Sequence, residues 1–195
     1  PQCTSRYCWL PEFLPEHPSI PRYFYENGYF TVAMGKLHHG SNYDLSGLSL
    51  PYPSRDRHWK ASYALPENNK LAMTGDGSNK PPVEIAEVPD TVYDDGFLAK
   101  EAIKSLQKCA GQKKPFFLAV GFKKPHLPFA CPKKYWDLYD RDEIGLAPVP
   151  TLPENAPRFA IANYELSSGY AGNYGANNKM VPDTVSRKLR HGYFA

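Results

Sequence analysis

The sequence predicts an α/β fold, a sheet covered by helices on both faces. Three observations carry that expectation. The runs Tyr29–Met34 and Phe116–Phe122 are β-branched, aromatic and almost uninterrupted in apolar character, as strands buried in a parallel sheet are. A helical pattern from Asp94 to Gly111 stands directly before the second run, the order that a helix–strand unit requires. The 195 residues also include 20 Pro and 14 Tyr. Proline removes a donor and fixes φ, so this many imply long ordered loops around a scaffold, packed by aromatics rather than disordered.

The elements follow in order. Ser19 is placed to cap a short helix over Ile20–Glu26, with Pro21 in the first turn, where a missing N–H costs nothing. Asn27-Gly28 supplies a left-handed stop. The first strand then leads into Gly35-Lys36-Leu37-His38-His39-Gly40. From Ser41 to Pro89 the chain is polar and rich in turn residues, an excursion holding one or two short elements. In the next helix Phe97, Leu98, Ala102, Ile103 and Leu106 share one stripe, while Lys100, Glu101, Lys104 and Lys108 face water. Gly111 and Pro115 end it, and the second strand exits into Lys123-Lys124-Pro125-His126-Leu127-Pro128-Phe129. A short helix is expected over Pro132–Tyr139, loops over Ile144–Pro182, and a last helix capped by Asp183 with Val185, Leu189 and Tyr193 on one side.

Composition removes several classes. A net charge of +3, with no concentrated basic stripe, gives no footprint for nucleic acid. No apolar run reaches the ~18 residues that span a membrane, and no basic start followed by an apolar core marks a signal peptide. Cys3, Cys8, Cys109 and Cys131 lack the C-x-x-C spacing of a zinc site; a Cys109–Cys131 bridge is conceivable. Pro1 in place of Met, and Ala195 inside a helical pattern, lead to the expectation of one incomplete domain over residues 1–195, truncated at both ends.

Ligands of open α/β sheets lie outside the carboxyl ends of strands, and here two strands end in Lys and His. Lysine is a compact charge for a phosphate or sulfate oxygen, and a neighbouring histidine can hold or protonate an ester oxygen. Lys36, His38 and His39 form one such group, and His126, between prolines, a second. Together they predict an anion pocket without naming the anion. Asp94-Asp95 open a helix, where acids satisfy free N–H groups, and that assignment is preferred to a metal site. Arg187, Lys188, Arg190 and His191 are expected to form a solvated basic face.

At these residues the chain resembles the sulfatase family, in its iduronate-type branch. The matching stretches are IPRYFYENGYFTVAMGKLHH over Ile20–His39, YDDGFLAKEAI through KPFFLAVGFKKPHLPFACPKKYWDLYDRDEIGL over Tyr93–Leu146, and the terminal SRKLRHGYFA. The resemblance implies a partial alkaline-phosphatase-like fold, a mixed sheet flanked by helices. It implies hydrolysis of a sulfate ester on a carbohydrate, a nucleophile made from cysteine by a formylglycine-generating enzyme, bound calcium, and a secreted, periplasmic or lysosomal setting.

Residue by residue, Lys36 matches the sulfate-binding lysine and His126 the histidine of the K-P-H-x-P-F segment. His39 matches the catalytic histidine of the iduronate-type spacing G-K-x-x-H, whereas the commoner G-K-x-H would select His38. Cys3 is the formylglycine precursor and, once converted, a calcium ligand; Arg6 supports it. The chain reads Cys3-Thr4-Ser5-Arg6, one residue short of the family's C-x-P-S-R. The family's other calcium ligands, an Asp pair ahead of the nucleophile and a later Asp with His or Asn, match nothing in this chain. Two rival readings remain: a non-catalytic relic that binds sulfated glycans, and a phosphate or phosphonate ester hydrolase of the same superfamily that uses Thr4.

Overall fold

The computed structural model describes residues 17–37, 44–52, 62–74, 79–149, 154–157, 166, 169–172, 174 and 181–195. The chain divides into two compact units, Pro1–Asp56 with Asp94–Lys123, and Arg57–Tyr93 with Lys124–Ala195. Among the described residues, each contains one pair of parallel strands, so the α/β class expected from sequence is present in both.

In the first unit, helix α1 (Ile20–Glu26) starts as expected: Ser19 Oγ accepts the Arg22 N–H at 3.3 Å. It ends at Asn27, and Gly28 takes φ +84°. Phe24 of this helix stacks on Phe117 with ring centroids 4.4 Å apart. Strand β1 (Phe30–Gly35) pairs in parallel with a strand 86 positions on, from Phe30 opposite Phe116 to Gly35 opposite Gly121. A parallel pair needs a long crossover. Here the chain between them leaves for the second unit and returns through a 17-residue helix, Asp94–Ala110.

That helix, and the strand Phe116–Gly121 after it, depart from expectation in their burial. Leu98, Ala102 and Cys109 pack on Val32, Met34, Leu118 and Val120, whereas Ile103 is 60% and Leu106 47% exposed. Among the described residues this sheet is two strands wide, and the covered side chains of the helix are those packed on it. The strand is half exposed along its length rather than fully buried. Cys109 is buried in its place on the inner face.

In the second unit, α2 (Pro66–Met73) and β2 (Val83–Ala86) are the short elements of the polar excursion. A 3₁₀ turn follows at Asp90–Val92. With β2 placed, the helix Asp94–Ala110 of the first unit is α3 and the strand Phe116–Gly121 is β3. Strand β4 (Phe129–Pro132) pairs in parallel with β2, Val83 opposite Phe129. The helix expected over Pro132–Tyr139 forms one turn only, α4 (Lys133–Trp136): Pro132 belongs to the strand, and the turn is capped at Asp137.

Helix α5 (Asp183–Phe194) lies across this pair. Asp183 is in its first turn and Pro182 is the cap. Gly192 allows the approach: a Cβ there would stand 2.9 Å from Phe129 Cβ. His191, expected on a solvated basic face, is instead buried. Its ring stacks on Trp136 at 3.6 Å, and Nε2 donates to the Trp136 carbonyl at 2.8 Å. Arg187 Nη1 donates to the Ile144 carbonyl at 2.7 Å. An amphipathic side chain with a carbonyl in reach packs its ring rather than facing water.

The second unit turns on Glu84 of β2, which is 2% exposed. Its carboxylate accepts from the Ala64 N–H (2.6 Å), the Leu65 N–H (3.2 Å), Asn68 Nδ2 (2.7 Å) and the Tyr93 hydroxyl (2.8 Å). Leu65 is the N-cap of α2 and has no capping side chain. Glu84 thus supplies from the sheet the acceptor that the helix start lacks. Burial first, then the bond to Glu84, pushes the Tyr93 phenol well above its ordinary value. Burial likewise raises Tyr63, with charges at Tyr170 and Glu84 adding to it. Cys109 and Cys131 are free and buried, so the conceivable bridge is not formed.

Glu84→Ala would strand four donors inside the unit. We predict a loss of roughly 3 kcal/mol or more, read as a lower urea midpoint. Folded Tyr63 and Tyr93 hold their protons more tightly than the unfolded chain does. Their contribution is therefore complete below the ordinary phenol value of about 10 and is lost progressively as pH rises above it toward the raised folded values. A urea midpoint that falls between pH 9 and 11, and falls less in Tyr93→Phe, is the expected result.

Candidate active site

The end of β1 is closed by steric exclusion. Gly35 has φ +75°, a left-handed conformation that glycine adopts at little cost. A Cβ there would overlap the Gly121 carbonyl and lie 2.5 Å from Leu98 Cδ2. On the partner strand, a Cβ on Gly121 would overlap the Lys36 carbonyl and stand 2.9 Å from Lys36 N. With both side chains absent, the Lys36 N–H donates to the Gly121 carbonyl at 2.6 Å. On the other side the Tyr52 hydroxyl donates to the Gly35 carbonyl. Lys36 is half-buried and begins where the two strands are pinched together.

The exit of β3 is braced differently. The Lys123 N–H lies 3.0 and 3.1 Å from the two carboxylate oxygens of Asp95, and Lys123 Nζ lies 2.9 Å from Asp94 Oδ2. The two acids at the start of α3 therefore reach across to the strand end, a use beyond the helix-terminal one expected for them. The pair Lys123–Asp94 is about three-quarters covered, which reduces screening compared with a surface pair.

In the second unit His126 is held by its own segment. A carbonyl can only accept, so Nδ1 carries the proton that reaches the Leu127 carbonyl at 2.7 Å. The lone pair of the neutral ring is then on Nε2. Lys124 Nζ donates to the Pro128 carbonyl, closing the loop around the histidine. The bonds before Pro125 and Pro128 are both cis.

Of the residues singled out from sequence, Lys36 stands in the first unit and His126 in the second. Cys3, Arg6, His38 and His39 lie outside the described residues. Tyr52, Gly121 and the Asp94–Asp95–Lys123 brace were not anticipated. Gly121 carried a signal, since an isolated glycine in an apolar strand marks a close backbone approach. Tyr52 carried none.

A family model described as Sulfatase matches residues 4–170. The chain belongs to the sulfatase family. Its similarity to iduronate 2-sulfatase of Mus musculus is 35% identity over 193 residues, covering 91% of this chain and 34% of that protein. The Homo sapiens iduronate 2-sulfatase is likewise 35% identical, over 189 residues, with the same coverage. A choline-sulfatase of Rhizobium meliloti (strain 1021) is 27% identical, over all of this chain and 39% of its own length. This sulfatase chain thus spans about a third of the length of the curated mammalian relatives it matches.

The described part of the sulfatase chain does not fit calcium. Among the described residues no three His, Cys, Asp or Glu side chains converge as a metal site, and a hard divalent ion needs several oxygens at once. Among the described residues, the acid pair Asp94-Asp95 at the strand end is engaged by the Lys123 ammonium and amide, which would repel or compete with a cation. Among the described residues no helix is long and apolar enough to cross a membrane.

Gly121→Ala would drive a methyl group into the Lys36 carbonyl. Because the obstacle is backbone, the strands must part. We predict a loss of about 1–3 kcal/mol, seen as a lower thermal midpoint, and a chemical-shift change at the Lys36 amide larger than that at Phe30.

Proposed function

We propose that the polypeptide carrying this chain hydrolyses a sulfate ester on a carbohydrate, an iduronate-type sugar being the favoured substrate class. One observation supports it above the others: in a chain of the sulfatase family, the lysine after β1 is presented by a backbone that two glycines and two hydrogen bonds hold still. The transition state of sulfate transfer spreads negative charge over several oxygens, and a fixed cation lowers its energy more than a mobile one. On this reading Lys36 binds a sulfate oxygen.

His39 serves the departing sugar oxygen, and His126, whose ring orientation is held through Nδ1 by the Leu127 carbonyl, serves the substrate or the breakdown of the sulfated enzyme. Cys3 is the precursor of formylglycine, converted by a formylglycine-generating enzyme, and Arg6 orients it. The setting is secreted, periplasmic or lysosomal. If calcium is bound, converted Cys3 would be one of its ligands, and the ion would supply charge that neutralises sulfate oxygens.

The short motif Cys3-Thr4-Ser5-Arg6 favours a second reading, a binding protein that keeps the anion site and has lost the chemistry. Two measurements on the intact polypeptide from its host separate them. A mass spectrum of the Cys3 peptide shows the lighter aldehyde if the first holds. Lys36→Ala then lowers sulfate release from an aryl sulfate roughly 10²- to 10³-fold. An unmodified Cys3 together with no sulfate release, but with salt-sensitive binding to sulfated sugars, would select the second.

A further inference from the structure

Gly35 solves one problem at the strand end and creates another. The crowding by Gly121 and Leu98 admits only a hydrogen, yet glycine leaves the following peptide free to turn over. That peptide is the one that leads into Lys36. Its N–H is taken by Gly121 on β3 (2.6 Å), and its carbonyl by the hydroxyl of Tyr52. Turning the peptide over would break both bonds at once.

Tyr52 arrives on a strap that follows the outer edge of β1. Ser49 Oγ accepts the Thr31 N–H at 3.0 Å, and the Ser49 N–H donates to the Thr31 carbonyl at 2.8 Å. Leu50 is packed into the core formed by Val32, Met34 and Cys109. The strap is therefore fixed to the strand before it reaches Gly35, and the phenol is delivered to a set place.

We infer that Tyr52 is a positioning residue for Lys36, fixing through the Gly35 carbonyl the peptide from which the sulfate-binding lysine projects. The inference rests on the assignment of sulfate binding to Lys36. Its energetic scale is that of one hydrogen bond, since a mobile lysine must be ordered again by each anion it meets.

The test compares the intact polypeptide with Tyr52→Phe, Ala102→Gly and Lys36→Ala. Ala102 packs on the same core through the helix α3 and has no hydroxyl to offer the Gly35 carbonyl, so its variant reports general loosening. Inorganic sulfate is titrated by calorimetry, and exchange of the Lys36 amide is followed by hydrogen–deuterium NMR. Tyr52→Phe is expected to weaken sulfate about two- to tenfold and to speed exchange at Lys36. Ala102→Gly should lower the thermal midpoint and leave sulfate affinity unchanged. Unchanged sulfate affinity in Tyr52→Phe, or an equal loss in Ala102→Gly, overturns the inference. If Lys36→Ala binds sulfate as the parent does, it is the assignment of Lys36 that falls, and amide exchange in Tyr52→Phe still decides whether the phenol holds the peptide.

Discussion

Two backbones meet at Gly35 and Gly121 at a distance that no side chain allows. This contact organises the first unit. It sets the register of β1 on β3, places Lys36 at the mouth of the pair, and brings the N-terminal part of α3, through Leu98, down onto the strand end. The constraint is repulsive, and repulsion of this kind specifies geometry more sharply than attraction does, because it rises steeply over tenths of an ångström. Hydrogen bonds from both sides then select one peptide orientation among those that sterics leave open.

Buried Glu84 and half-buried Asp94 and Asp95 are committed to structure. Glu84 gathers four donors and no cation, joining the start of α2, the end of a loop and Tyr93 to β2. Asp94 and Asp95 hold the side chain and amide of Lys123. Glu84 and Asp95 stand where a backbone would otherwise present unmatched N–H groups, and Asp94 pairs with an ammonium. The chemistry proposed for this sulfatase chain accordingly rests on Cys3, Lys36, His39 and His126 rather than on these acids.

The longer elements were legible because their signals are local. Ser19, Pro21 and Gly28 bound α1 through capping and turn chemistry that needs no tertiary partner, and the apolar run at Phe116 declares a strand by itself. Strand β4 was not legible: Phe129–Pro132 is four residues ending in proline, and only pairing with β2 makes it a strand. Burial was misjudged at Ile103 and Leu106 because periodicity gives the direction of a face but not the width of what it meets. His191 was misjudged because a basic neighbourhood in sequence says nothing of the Trp136 ring that receives it. Lys36 and His126 were singled out as candidates from residue type and position after a strand. Tyr52 could not be, since its link to Gly35 spans 17 positions of chain without a pattern.

The uncovered side chains of α3 and β3 have a consequence for solution behaviour. Ile103, Leu106 and Phe116 present apolar surface to solvent, and surfaces of that kind attract one another in water. Sulfate is a salting-out anion that strengthens such attraction. The ion that reports on the lysine therefore also promotes clustering of molecules through a different face. The two responses differ in order: occupancy of a single cationic site is indifferent to how much protein is dissolved, whereas clustering grows with it.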